Sequence, residues 1–111
     1  GVNLTILEGA DFKSTFKVNK ENKSAFDLSG YAIHGKMKKS VAIGASTGGI
    51  QGFTAGITSA AGGEFNISLT DTITKDLKPG RYYYDINVVS SASTVYKMVS
   101  GNIVVEGGLS V

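Results

Sequence analysis

Apolar and polar residues alternate with a period of two along four separate stretches of the chain. In Asp11 to Val18, Phe12, Phe16 and Val18 share one face with small Ser14, and Asp11, Lys13, Thr15 and Lys17 share the other. Tyr31, Ile33 and Met37 stand opposite Ala32, His34, Lys36 and Lys38. Glu64 to Leu69 puts Phe65, Ile67 and Leu69 together. Arg81 to Val89 gives the strongest signal, with Tyr82, Tyr84, Ile86 and Val88 on one face and Tyr83, Asp85, Asn87 and Val89 on the other. Successive strand side chains point to opposite faces, so each stretch reads as a half-buried antiparallel strand. The predicted core is Phe12, Phe16, Ile33, Phe65, Ile67, Leu69, Tyr82, Tyr84, Ile86 and Val88.

Weaker signals fill the intervals. Val2 to Leu7 is a β-branched run ended by Glu8-Gly9, and Ile50 to Ile57 reads as one further strand. Asp71 to Leu77 predicts one helical turn, capped by Thr70 or Asp71 and ended by Pro79-Gly80. Ser90 to Ser93 is a hairpin loop. Thr94 to Ser100 and Asn102 to Glu106 follow as strand, with Gly101 expected at a bulge or bend. Lys39 to Gly49 is small and glycine-rich and reads as a loop. Seven to eight short strands with turn signals about every ten residues predict a single antiparallel β-sandwich of immunoglobulin-like type. The whole of 1–111 is expected to form one all-β domain.

Composition supports this reading. Fifteen glycines and one proline suit strands joined by tight turns. Zero cysteines exclude disulfides and thiolate metal sites. A net charge of +2 is too small to imply nucleic acid or a charged membrane surface. No apolar stretch approaches the roughly 20 residues needed to cross a bilayer, and the first residues lack the pattern of a signal peptide.

Candidate chemistry is thin. Gly44-Ala45-Ser46-Thr47-Gly48 matches the string of a nucleophile elbow, but that chemistry needs a strand-to-helix turn and a histidine after the serine. The sole histidine, His34, precedes Ser46 and lies among lysines. The carboxylates are scattered, and Asp85 reads as a strand carboxylate hydrogen-bonded to a neighbouring loop. Lys36, Lys38 and Lys39 read as a solvated basic cluster, and Tyr83 is the one outward ring of its triplet. No catalytic residue, metal site or cofactor is expected. Val41, Ile43, Ser46 and Tyr83 are the candidate interface residues.

Several ordered segments carry a resemblance: Leu7-Glu8-Gly9-Ala10-Asp11-Phe12, Phe26-Asp27-Leu28-Ser29-Gly30-Tyr31, Ile67-Ser68-Leu69-Thr70, Tyr82-Tyr83-Tyr84-Asp85-Ile86 and Gly101-Asn102-Ile103-Val104-Val105. The series resembles the small β-sandwich modules of tailed-bacteriophage structural proteins, of baseplate, tail or head-decoration type. The resemblance implies a virion structural protein with other virion proteins as partners, and no catalytic residue carries over from it. Independently of the resemblance, unpaired edge strands and the Lys39–Gly49 loop, with apolar Val41 and Ile43 in need of burial, are the expected means of docking and self-association. The alternative is a bacterial surface or secreted module that binds a carbohydrate or protein ligand.

Overall fold

The computed structural model describes residues 2–39 and 50–107. It contains β1 (Leu4–Leu7), β2 (Phe12–Lys17), β3 (Ala32–Lys39), β4 (Ile50–Gly52), β5 (Thr54–Ser59), β6 (Glu64–Leu69), α1 (Asp71–Thr74), β7 (Gly80–Val89) and β8 (Val95–Glu106). One sheet has the order β1-β8-β7-β3-β4 and the other β2-β6-β5. The chain is therefore all-β, with two sheets enclosing one apolar core.

Alternation fixes which face each strand buries. Of the ten predicted core residues, eight are buried, while Phe16 and Ile33 are half-buried and pack against them. Ile6, Leu28, Met37, Ile103 and Val105 complete the core. Leu28 is fully buried in the connector before β3, where its N–H donates to the Ala60 carbonyl at 2.8 Å.

The sandwich is not wholly antiparallel. β1 runs parallel to β8, with Leu4 opposite Ile103 and Leu7 opposite Glu106. Alternation records which face of a strand is buried and does not encode the direction in which an edge strand joins its neighbour.

The single strand expected over Ile50 to Ile57 is two strands in different sheets. β4 pairs with β3, and β5 pairs with β6. The crossing is at Phe53, whose N–H donates to the Gly35 carbonyl at 2.9 Å. A side chain at Gly35 would stand 3.2 Å from the Phe53 ring and 3.4 Å from Ile86, so glycine lets the crossing chain pack close.

Gly101 is not the bulge. The register runs unbroken through Tyr84 opposite Gly101, and the irregularity lies at Met98, where Ile86 faces Val99 and Asn87 faces Lys97. Glycine is needed at 101 for closeness: a Cβ there would collide with the Val2 carbonyl and sit 3.1 Å from the Tyr84 ring.

α1 is shorter than the seven residues expected, and Thr70 is its N-cap without a side-chain cap bond. The Asp11 carboxylate takes that role from across the fold, accepting from the Asp71 N–H at 2.7 Å. Fully buried Thr74 donates its hydroxyl to the Ala10 carbonyl at 2.7 Å, tying α1 to the β1–β2 turn.

Candidate functional site

The five-stranded sheet buries one face and turns the other outward. Register brings its outward side chains into rows across the strands. Lys38 of β3, Tyr83 of β7 and Asn102 of β8 form one row, with Ile50 of β4 beyond Lys38. Lys36, Asp85 and Ser100 form the next, and His34, Asn87 and Lys97 the third. The first two rows, with Asn3 and Lys97, line an open cleft of about 760 Å³.

Two properties distinguish this surface from an ordinary solvated face. Asp85, Asn87 and Asn102 each have a side-chain Oδ1 shut off from solvent without a hydrogen-bond partner. Buried acceptors are nearly always paired, because leaving one bare costs about 1–3 kcal/mol. Around them stand Lys36, Lys38 and Lys97, three cations beside the single carboxylate Asp85. In the middle lies Tyr83, 58 % exposed and among the barest large side chains of the described residues.

The floor beneath is rigid. Tyr84 is buried under this row, and its hydroxyl donates to the Val2 carbonyl at 2.6 Å. Tyr82 donates to the Lys78 carbonyl at 2.7 Å. Burial pushes the Tyr84 phenol above its ordinary pKa. It does the same to Tyr82, opposed in part by the bond to Lys78. Both therefore stay neutral hydrogen-bond donors at physiological pH.

Of the four candidate interface residues, Tyr83 lies on this face, and Val41, Ile43 and Ser46 lie outside the described residues. Lys36 and Lys38 point outward as expected. Lys39 is the last residue of β3 instead of the start of a loop. Its ammonium lies 5.8 Å from the Tyr82 ring centre and donates to the Pro79 carbonyl at 3.4 Å. The expected hydrogen bond from Asp85 to a loop is corrected at Oδ1, which has no partner. His34 is exposed, opposite Asn87. Among the described residues, no group of three or more His, Asp or Glu side chains could hold a metal ion, and no helix is long and apolar enough to cross a membrane.

Lys97, Asn102 and Asn3 were not singled out by sequence. Lys97 and Asn102 depend on the β7–β8 register, which the bulge at Met98 shifts by one residue, and Asn3 is brought in by the parallel pairing of β1 with β8.

The sheet edges differ in their protection. β2 carries Lys13 and Lys17, exposed charges of the kind that discourage strand pairing. β5, Thr-Ala-Gly-Ile-Thr-Ser, carries no charge, and among the described residues it has a neighbour only in β6. Ile57 is 39 % exposed there. No protein-family model matches the chain, and no curated protein matches it either.

Proposed function

We propose that the chain is an immunoglobulin-like sandwich module of a tailed-bacteriophage virion, a structural part joined to neighbours by strand pairing and without enzymatic activity. Strand order supports the fold. With β2, β3, β5, β6, β7 and β8 in the places of strands B to G, one sheet reads D-E-B and the other G-F-C with a further strand beyond C. Tyr82 supports it too. It stands at the start of β7, after the corner that follows β6, and its hydroxyl bonds back to the backbone of Lys78. That is the arrangement of a tyrosine corner.

The observation that carries the assembly role is the uncharged β5 edge. Unpaired N–H and C=O groups on such an edge accept a strand from another chain, and backbone bonds supply the affinity. Repetition in a particle makes many weak contacts sufficient. The partners are other virion proteins and further copies of this chain, and the resemblance of the ordered segments supplies the virion setting.

The test has two parts. An antiserum against the domain should label purified phage particles at a regular repeat, and its absence from particles would overturn the virion assignment. Thr54→Lys combined with Ile57→Lys should leave the melting temperature within a few degrees of the parent, since both positions are exposed. The same variant should abolish self-association in sedimentation and incorporation into particles. Unchanged assembly would place the interface elsewhere. A second reading, a bacterial surface or secreted module with a carbohydrate or protein ligand, is favoured by the cleft of the five-stranded sheet.

A further inference from the structure

We propose that copies of this chain join head to tail, the β1 edge of one pairing with the β5 edge of the next. The inference rests on the strand-pairing role proposed above and names the strand that β5 accepts.

Four strands stand at sheet edges among the described residues, β1 and β4 in one sheet and β2 and β5 in the other. Lys13 and Lys17 discourage pairing at β2. β4 is three residues long, too short to hold another chain by its backbone. β1, Leu-Thr-Ile-Leu, carries no charge, and neither does β5. Among the described residues β1 pairs only with β8, so its other side offers unpaired N–H and C=O groups. β1 is thus the edge of the described chain equipped to meet β5.

The two open edges lie on opposite flanks. β1 and β4 bound the five-stranded sheet, and one residue, Phe53, carries the chain from β4 into β5. β5 therefore sits on the flank of β4, away from β1. One molecule cannot bring its own β1 to its own β5, whereas two neighbours can. Direction fits as well. β1 runs with β8, and successive antiparallel pairs through β7 and β3 leave β4 running opposite to β1. β5 continues from β4, so a copy in the same orientation offers its β1 antiparallel to β5.

Side chains match across that junction. The open edges belong to opposite layers, so the outer side of β1 and the inner side of β5 become one face. Leu7 and Val104 stand on the outer side, 47 % and 39 % exposed. Ile57 shares the inner side with buried Phe65 and is yet 39 % exposed. Joining the edges brings these apolar side chains to a common face, where they are buried together. Pairing β5 with β5 and β1 with β1 would need two different interfaces to cover both edges. Head-to-tail pairing covers both with one. Such an interface is heterologous, so it passes from copy to copy and closes as a ring or runs on as a filament. Few residues pair at each junction, and repetition makes such contacts sufficient.

The experiment uses two variants of the full chain, each blocked at one edge: Thr5→Lys with Leu7→Lys, and Thr54→Lys with Ile57→Lys. These side chains are exposed, so both variants should melt within a few degrees of the parent. In sedimentation at up to about 1 mM, the parent should form species larger than a dimer, and each variant alone should be monomeric. An equimolar mixture should form heterodimers and nothing larger, because one partner keeps β5 and the other keeps β1. In the parent, amide signals that move with concentration should include both Leu4–Leu7 and Thr54–Ser59, a readout that needs no variant. A parent that stays monomeric overturns the proposal. So does a β1-blocked chain that assembles like the parent, a mixture without heterodimers, or shifts confined to one edge. If the Thr54→Lys, Ile57→Lys chain assembles like the parent, the strand-pairing reading itself falls. If that chain is monomeric while the β1-blocked chain assembles, the reading stands and the head-to-tail order alone is lost.

Discussion

Replacing Gly101 with alanine should detach the segment before β1 from the sheet. The added methyl would occupy the position of the Val2 carbonyl and press on the Tyr84 ring at 3.1 Å. Gly101 is fixed between paired neighbours in a long strand, so the chain near Val2 is the part that can yield. Its departure breaks the Tyr84–Val2 hydrogen bond, worth about 1 kcal/mol net. Uncovering roughly 40 Å² of apolar surface on Tyr84 and β1 costs about 1 kcal/mol more. A stiffer unfolded chain returns about 0.5 kcal/mol. The net loss is about 1.5 kcal/mol, which lowers the melting temperature of a chain this long by about 6 °C at an unfolding entropy of ~2.1 cal/mol/K per residue. Calorimetry reads this directly, and a double-mutant cycle identifies the cause. Tyr84→Phe alone should cost about 1 kcal/mol, yet add less than about 0.5 kcal/mol on top of Gly101→Ala, because the bond it removes is already gone. Additive losses, or a Gly101→Ala protein as stable as the parent, would refute the displacement.

Two further outcomes follow from buried hydroxyls. Thr74→Val keeps the shape of a fully buried side chain but leaves the Ala10 carbonyl without its 2.7 Å partner. The urea midpoint should fall by an amount equivalent to about 1–3 kcal/mol, and an unchanged midpoint would show that α1 is not tied to the β1–β2 turn by this bond. Tyr82 and Tyr84 have pKa values raised by burial, so their contribution is intact below the unfolded value near 10 and is lost as pH climbs beyond it. Denaturation measured from about pH 9 to 12 should show stability falling above about pH 10. Tyr82→Phe with Tyr84→Phe should flatten that fall, and an equal slope in the variant would sink the assignment.

The inward faces of β2, β3, β6 and β7 were legible because each buries one side against the core and wets the other, and burial is what alternation records. Phe53 shows where the record fails. Gln51, Phe53 and Ala55 are all half-buried and keep one phase straight through the crossing from β4 to β5. Period two says which side of a strand is wet and nothing about which sheet the strand joins. The direction of β1 is silent for the same reason.

Met98 is a different case, since its signal was present. Inward residues fall on even positions at Tyr96 and on odd positions from Val99 to Val105, which is the trace of one inserted residue. Gly101 drew the bulge reading because glycine in a strand weakens it, but here a neighbouring backbone required the space. The cleft was half legible. Outward Tyr83, Asp85, Lys36 and Lys38 came from alternation, whereas Lys97 and Asn102 needed the register. The unpaired state of the Asp85 and Asn102 oxygens belongs to three-dimensional geometry alone.

The parallel pairing of β1 with β8 also decides how the molecule carries load. A pull on the two ends of the chain drags Leu4–Leu7 and Ile103–Glu106 past one another along their shared axis. The evenly spaced, slanted bonds of a parallel ladder are then strained together, and none can open before its neighbours. An antiparallel pair at the same place, pulled from one end, would open one bond at a time like a zip. A mechanical clamp therefore lies at the outermost edge of the sheet. Tension must shear it before it reaches the core.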